Sequence, residues 1–173
     1  DWRTVAEATG TQESELATIE GMTAAARRYY EWTDSLTPEE NDGKALFGRD
    51  AMANYMIVGA KQLGYEIFTV KDGRAEVNLP RDAAKKLWDN YYIPYIKGYF
   101  ASSGRFRSDD MKTGNVIAFV GSSAGATFFP DRVTTEDENS YPIEIKTLPA
   151  PQFEGREKIA VQQGAGMVIL KKS

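Results

Sequence analysis

The residues whose types and spacing best fit a reactive site lie in segment 115–129, which reads NVIAFVGSSAGATFF. Within it, G-S-S-A-G at 121–125 matches the nucleophile-elbow pattern G-x-S-x-G, in which a sharp turn between a strand and a helix exposes a reactive serine. An apolar, strand-like run precedes the turn and a possible helix follows it. The pattern therefore raises the hypothesis that Ser123 is the nucleophile of a hydrolase.

The sequence lacks the histidine base that such a serine needs. A serine hydroxyl becomes a good nucleophile when a neighbouring base takes its proton, and in elbow enzymes that base is histidine. The sequence contains no histidine and no cysteine, and no S-x-x-K near the turn supplies a lysine instead. We therefore predict a protein that is not an enzyme, with no catalytic residue and no cofactor; a serine hydrolase using the GSSAG turn is kept as the alternative.

A second interpretation of the same turn requires no chemistry. The first N–H groups of a helix have no partner within the helix and carry partial positive charge. Ser122 or Ser123 could simply cap such a helix, or the turn could present these groups to a carboxylate, a phosphate or sugar hydroxyls. Both readings, a plain cap and a ligand turn, stay open at this point.

Composition limits the remaining classes of function. The chain of 173 residues carries a net charge of −4 and 42% hydrophobic residues, which is typical of one soluble globular domain or most of one. The sequence shows no cluster of basic residues, so we predict no binding to nucleic acid. No apolar run approaches the roughly 20 residues of a membrane span. The absence of cysteine and histidine excludes their ligation of a metal, and PEENDG at 38–43 lacks the spacing of a calcium loop. We therefore predict no metal site, with carboxylate-bound calcium or magnesium as the alternative left open.

Apolar periodicity and helix breakers predict a helix-rich chain up to about Gly114. The predicted helices cover 1–9, a segment from a cap at Ser14 to Trp32, 50–63, a segment from Pro80 to a break or kink at Pro94, and a short segment capped by Ser108. A β-hairpin is predicted over 66–79. Further strands are predicted over 116–120, 143–148, 158–162 and 167–170.

Three segments, in this order, resemble the family 1 extracellular solute-binding proteins of ABC importers. TIEGMTAAARRYYEWT at 18–33 is similar to the helix that opens their carboxy-terminal lobe. RFRSDDMKTGNVIAFVGSSAGATFF at 105–129 resembles their short helix, strand and Ser/Gly turn, and LPAPQFEGREKIAVQQGAGMVILKKS at 148–173 resembles the next strand end and Gly-rich turn. The GSS and QGAGM turns are also similar to those of sn-glycerol-3-phosphate-binding proteins.

The resemblance implies an α/β fold of the type II periplasmic-binding-protein kind, with a solute between two lobes. It implies that this chain is a fragment holding mainly the carboxy-terminal lobe, with its helical part at 1–113 and hinge-crossing strands and ligand turns at 114–173. The implied protein is a bacterial receptor, periplasmic or anchored as a lipoprotein by an upstream segment. It would deliver a sugar, an oligosaccharide or a glycerophosphate-like solute to an ABC permease; an interaction domain without a small ligand is a further alternative.

The resemblance also implies which residues face the solute. They are the turn Gly121, Ser122 and Ser123, and the turn formed by Gln162, Gln163, Gly164 and Ala165. A glycine-rich turn allows close approach of the backbone to a ligand. We expect the two turns to converge on one concavity, because a hydroxyl-rich solute needs several fixed polar partners at once.

A third group of candidates lies in FGRDAMANY at 47–55. Arg49 and Asp50 stand at the predicted start of a helix, and Asn54 and Tyr55 follow one turn later. The guanidinium fork of arginine suits phosphate or carboxylate, and an aspartate accepts hydrogen bonds from sugar hydroxyls. The structural alternative is that Asp50 caps the helix and Arg49 is solvated.

Two other patterns have mainly structural interpretations. The tyrosines between 91 and 99 recur at helical spacing, which is typical of a core face. Asp109 and Asp110 could be paired acids of a glycosidase, but adjacent residues of a helix do not face each other across a bond, and such enzymes need separated carboxyl groups.

The first prediction concerns catalysis. We expect the purified protein to hydrolyse a generic ester no faster than buffer does, because no histidine or cysteine can activate Ser123. The assay compares the wild-type protein with Ser123→Ala and with Ser122→Ala as the matched control. Reproducible turnover lost only in Ser123→Ala would contradict the prediction.

Overall fold

The computed structural model describes residues 1–135, 137–162, 164 and 166–169 as a mixed α and β structure. Its helices are α1 (Trp2–Thr9), α2 (Ile19–Asp34), α3 (Met52–Gln62), α4 (Arg81–Ile96) and α5 (Arg107–Lys112). Its strands are β1 (Phe47–Arg49), β2 (Phe68–Lys71), β3 (Arg74–Val77), β4 (Ala118–Val120), β5 (Arg132–Thr134) and β6 (Ser140–Pro142). Short 3₁₀ helices cover Glu13–Ala17 and Ser123–Phe128. Within the described residues, every α-helix ends before Gly114, as the apolar pattern predicts.

The ends of the first two helices follow capping chemistry. The Asp1 carboxylate accepts the Arg3 N–H at the start of α1, and Gly10 ends that helix with a φ of 66°. The prediction that Ser14 caps the second helix is wrong, because Ser14 lies inside the 3₁₀ helix that precedes it. The Thr18 hydroxyl caps α2 instead, where it accepts the Gly21 N–H at 3.0 Å.

Helices α4 and α5 differ from the prediction at their boundaries. Pro94 lies inside α4 and does not end it, because the helix continues to Ile96 and turns at Gly98, whose φ is 75°. Ser108 does not cap α5, which begins one residue earlier, after Phe106. A side chain from within the helix accepts a backbone N–H group at its start: the Asp109 carboxylate accepts the Phe106 N–H at 3.1 Å.

The strands form three separate pairs. β1 and β4 are parallel, with Phe47 opposite Ala118 and Arg49 opposite Val120. β2 and β3 form the predicted hairpin, and its two turn residues, Asp72 and Gly73, both have positive φ, as a tight type I′ turn requires. β5 and β6 form a second antiparallel hairpin that the sequence pattern does not predict.

The later strand predictions are wrong where the structure describes them. Segments 143–148 and 158–162 are not in strands, and neither are residues 167–169. Most of these residues are exposed. The Ile143 N–H donates to the Asp131 carbonyl at 2.9 Å, which continues the β5–β6 pairing by one residue. Only an isolated parallel bridge between Thr18 and Gln152 ties the stretch from 143 to 162 to the helices by strand-type pairing.

Two apolar clusters form the core of the described residues. The first joins α1, α2 and β1 through residues such as Met22, Tyr29 and Phe47, and the second joins α3 and α4 through Tyr55 and Leu87. Leu87 is fully buried, whereas Trp88, which the apolar pattern places on the same face, is 46% exposed. Among the described residues, no helix has the length and apolar character that a membrane span requires.

The second prediction tests the packing of α3 on α4. A Cβ atom on Gly59 would lie 2.4 Å from Leu87 Cδ2 and 3.1 Å from the Phe153 ring. Because Leu87 and Phe153 are both buried, we expect Gly59→Ala to destabilise the fold by about 1–3 kcal/mol despite the better helix propensity of alanine. Urea unfolding measures the change.

The matched control is Gly125→Ala, because a Cβ atom there meets nothing within 4 Å. Its stability should stay within about 0.5 kcal/mol of the wild type, as for an ordinary surface substitution. Equal unfolding midpoints for the two variants would contradict the packing described here.

Candidate functional site

The carboxyl ends of β1 and β4 lie side by side and define the candidate site. The Asp50 N–H donates to the Val120 carbonyl at 2.9 Å, which extends the parallel pairing by one residue. The next residue after β4 is Gly121, so Asp50 and Gly121 stand at the same edge. In open α/β structures, ligands bind in the crevice outside the carboxyl ends of parallel strands.

One oxygen of Asp50 faces this edge and has no hydrogen-bond partner among the described residues. A Cβ atom on Gly121 would stand 3.2 Å from Asp50 Oδ2, so glycine allows the turn to lie against the carboxylate. The other oxygen, Oδ1, accepts the Arg107 N–H at 3.2 Å and lies 3.5 Å from Arg107 Nε. Oδ2 accepts no hydrogen bond within the described part of the chain, and the side chain is about a quarter exposed.

The structure corrects the placement of Arg49 and Asp50 at a helix start. Arg49 ends β1, and α3 begins only at Met52. Ala51 occupies the N-cap position with a φ of 51°, a left-handed conformation that is uncommon for a residue with a side chain. The structural alternative is also wrong on both points, because Asp50 does not cap α3 and Arg49 is 8% exposed.

A buried ion pair holds Asp50 in place. Arg107 is 2% exposed and Asp110 is 1% exposed, and their side chains pair directly. Arg107 also donates to the carbonyls of Ala101 and Gly104. The Asp110 carboxylate accepts the Gly104 N–H at 2.6 Å, so the pair fixes the loop before α5.

Sequence reasoning missed Arg107, although its spacing carried a signal. Arg107 and Asp110 are three residues apart and therefore share one helix face. The neighbouring acids have separate structural roles, since Asp109 binds the start of α5 and lies near Lys112. Asp109 and Asp110 therefore do not form a pair of catalytic acids.

The Arg49 side chain lies on the face of β1 opposite to Asp50 and packs there on the ring of Tyr55 from α3. Successive side chains of a strand point to opposite faces, so Arg49 points away from Asp50. Its guanidinium carbon lies 4.7 Å from the centroid of the Tyr55 ring and 5.1 Å from that of Phe47. Burial lowers the pKa of the Arg49 guanidinium and raises that of the Tyr55 hydroxyl, which donates to the Leu87 carbonyl at 2.8 Å. Asn54 is half-buried in the same turn of α3.

The serine turn has the plain capping geometry. The Ser122 hydroxyl accepts the Ala124 N–H at 3.3 Å and caps the 3₁₀ helix Ser123–Phe128. Gly121, Ser122 and Ser123 are all exposed. No described residue forms a hydrogen bond with the Ser123 hydroxyl, so no described side chain activates it as a nucleophile.

The second predicted turn is only partly described. Gln162 and Gly164 are exposed, whereas Gln163 and Ala165 lie outside the described residues. A Cβ atom on Gly164 would meet no described atom within 4 Å. Convergence of the two turns stays a prediction.

The candidate site is an open edge in the described residues, since Gly121, Ser122 and Ser123 are all exposed. Two concavities lie elsewhere on the described structure. One, of about 570 Å³, is lined by residues that include Tyr30 and Tyr99, and the other, of about 160 Å³, by residues that include Ile57 and Phe68. Neither is lined by a predicted site residue. Within the described ranges, no group of three or more carboxylates is placed to hold a metal ion.

A family model described as bacterial extracellular solute-binding protein matches residues 2–173. No curated protein matches the chain.

The third prediction tests the buried ion pair beneath Asp50. Arg107→Met should destabilise the fold by about 3–5 kcal/mol, because it leaves the Asp110 carboxylate buried without its cation. Replacing both partners, in Arg107→Met with Asp110→Leu, should recover much of this loss. Urea unfolding measures both variants.

Lys112→Met is the matched control, because Lys112 and Asp109 have the same spacing on the same helix but are about half exposed. An exposed pair contributes about 0–1 kcal/mol. Similar losses for Arg107→Met and Lys112→Met would show that the buried pair has no special role.

Proposed function

The chain belongs to the bacterial extracellular solute-binding proteins, and from this premise we propose that it captures a hydroxyl-rich solute at the joint edge of β1 and β4. The solute would be a sugar, an oligosaccharide or a glycerophosphate-like molecule. The protein would deliver it to the permease subunits of an ABC transporter without changing it chemically. A periplasmic receptor and a lipid-anchored one would use the same site.

The observation that carries this proposal is the geometry of Asp50. One oxygen is held by the Arg107 backbone and side chain, and the other faces the Gly121 turn and accepts no hydrogen bond from the part of the chain that the structure describes. A carboxylate accepts strong hydrogen bonds from hydroxyl groups. Because Arg107 already fixes the side chain, a solute would not have to order it on binding, which favours affinity.

The serine turn supplies further polar groups at the same edge. Ser122 and Ser123 are exposed, and their hydroxyls can donate to and accept from a solute. We propose that the turn at Gln162, Gln163, Gly164 and Ala165 adds backbone and amide groups when it approaches this edge. The Tyr55 ring is buried, so it would not stack on the solute. Asn54 and Tyr55 would contribute to the site as residues of the first turn of α3.

An open edge suits one half of a two-lobe receptor. We propose that residues 1–113 form the helical part of a carboxy-terminal lobe of type II topology, and that residues 114–173 include the segments that cross the hinge. A second lobe would then cover the edge and exclude water from the solute. Such closure signals occupancy only if the solute binds the closed state more tightly than the open one.

Two other functions are less well supported by the site. A hydrolase acting through Ser123 lacks a base, because the sequence has no histidine and the serine has no partner in the described residues. An interaction domain without a small ligand predicts that no solute stabilises the protein. A thermal-shift screen with sugars and glycerophosphates separates this case, because specific binding raises the unfolding temperature.

The fourth prediction concerns Asp50 and Ser123. For a solute found by that screen, Asp50→Ala should weaken binding by about 1.5–3 kcal/mol, because a charged acceptor is lost. Ser123→Ala should cost about 0.5–1.5 kcal/mol, as expected for one neutral hydrogen bond. Isothermal titration calorimetry measures both affinities.

Asp131→Ala is the control, because Asp131 is an exposed aspartate that lies just before a different strand, β5. Its affinity should equal that of the wild type. Unchanged affinity in Asp50→Ala and Ser123→Ala would refute the proposed site. A screen in which no solute raises the unfolding temperature of the wild-type protein would contradict the receptor function.

A further inference from the structure

The outward face of α4 carries a stripe of apolar side chains that the described residues leave exposed. Trp88, Tyr92 and Ile96 follow one another at four-residue spacing, so they lie on successive turns of one helix face. All three are exposed, and Ile93 beside them is exposed as well. We call these four residues the α4 stripe.

The opposite face of the same helix belongs to the core. Leu87 and Pro94 are fully buried there, and Ala83 is buried too. This face packs on α2 and α3. A helix that is apolar on both faces is typically covered on both, so the α4 stripe requires an explanation that the core of this chain does not provide.

Two aromatic rings form the centre of the α4 stripe. The rings of Trp88 and Tyr92 stack on each other, with their centroids 5.1 Å apart and their planes 15° from parallel. Tryptophan and tyrosine contribute strongly to protein interfaces, because they bury a large rigid surface at a low cost in conformational entropy. An exposed aromatic pair flanked by isoleucines is therefore typical of a contact surface between proteins.

The charges on and around the α4 stripe fit a second copy of this chain. Lys85 and Asp89, on the same helix face, pair with each other, so the middle of the face has no net charge. Asp82 lies near the start of α4 and Lys97 directly after its end. Both are exposed, and neither forms an ion pair with a described residue.

Helix geometry makes this arrangement self-complementary. The midpoint between Trp88 and Tyr92 is position 90, and at 1.5 Å per residue Asp82 lies about 12 Å before it and Lys97 about 11 Å after it. If a twofold axis passes at position 90, two antiparallel helices place Trp88 against Tyr92 of the other copy. The same axis brings Asp82 level with Lys97 of the other copy, at both ends of the contact. A parallel pair would instead align like charges.

We propose that the α4 stripe is the contact surface of a weak homodimer in which two α4 helices pack antiparallel. The inference goes beyond the proposed function and uses none of the candidate site residues, so each can fail without the other. A contact made by one helix from each copy is smaller than the about 1,000 Å² expected of a stable interface. The dimer therefore forms only at high protein concentration.

Sedimentation equilibrium of the full chain, from about 5 to about 500 µM, covers the range expected for such a small interface. The average mass of the wild-type protein should rise towards that of a dimer. Trp88→Ser and Tyr92→Ser should each raise the dissociation constant of the dimer at least about 10-fold, because both copies lose a central aromatic contact. Phe68→Ser is the matched control, because Phe68 is an exposed aromatic residue of the β2–β3 hairpin. Urea unfolding establishes that each variant is folded.

Charge reversal tests the antiparallel orientation. Asp82→Lys places two lysines opposite each other at both ends of the contact, and should raise the dissociation constant about 5- to 50-fold. Adding Lys97→Asp to the same chain restores opposite charges and should restore the dimer. Glu7→Lys is the control, because it makes the same change in net charge at an exposed position of α1.

The other outcomes overturn the inference. A wild-type protein that stays monomeric over the whole range would do so, and so would a dimer that survives both serine variants of the aromatic pair. A dimer that Asp82→Lys leaves unchanged, or that the double reversal does not restore, would exclude the antiparallel contact. Vesicles of phosphatidylglycerol and of phosphatidylcholine form a separate arm, in which Trp88-dependent binding of a monomeric protein would assign the α4 stripe to a membrane surface instead.

Discussion

The buried ion pair between Arg107 and Asp110 is the constraint on which the candidate site depends. Arg107 connects three parts of the chain, because it bonds the loop before α5, pairs within that helix, and holds Asp50 at the end of β1. Two buried charges are tolerable only because each has several partners. The pair therefore contributes more to the position of the Asp50 side chain than to net stability. Arg107 holds Oδ1 of that carboxylate, and the other oxygen, Oδ2, lies at the strand edge beside the Gly121 turn.

The end of β1 presents different chemistry on its two faces. On one face a pre-positioned carboxylate lies against a glycine turn, and on the other a buried guanidinium lies against aromatic rings and the start of α3. The left-handed conformation of Ala51 lies at the point where the chain turns from strand to helix. Uncommon backbone conformations of this kind concentrate at functional sites, because the surrounding structure has to hold them in place.

Local signals in the sequence predicted the elements that local chemistry determines. The hairpin at Asp72 and Gly73, the helix stop at Gly10 and the cap at Ser122 each depend on a few neighbouring residues. The strands predicted after residue 142 failed because a strand needs a partner, and an apolar run does not specify one. The role of Arg107 was hidden for the same reason, since its bond to Asp50 joins residues 57 positions apart.

The central claim is that solute binds at the joint edge of β1 and β4. The most direct test is a ¹⁵N amide NMR titration of the protein with a solute found by thermal shift. The account predicts that the largest shift changes occur at Asp50, Gly121 and Ser122. Changes confined to the concavity around Tyr30 and Tyr99, with the strand edge unaffected, would contradict it.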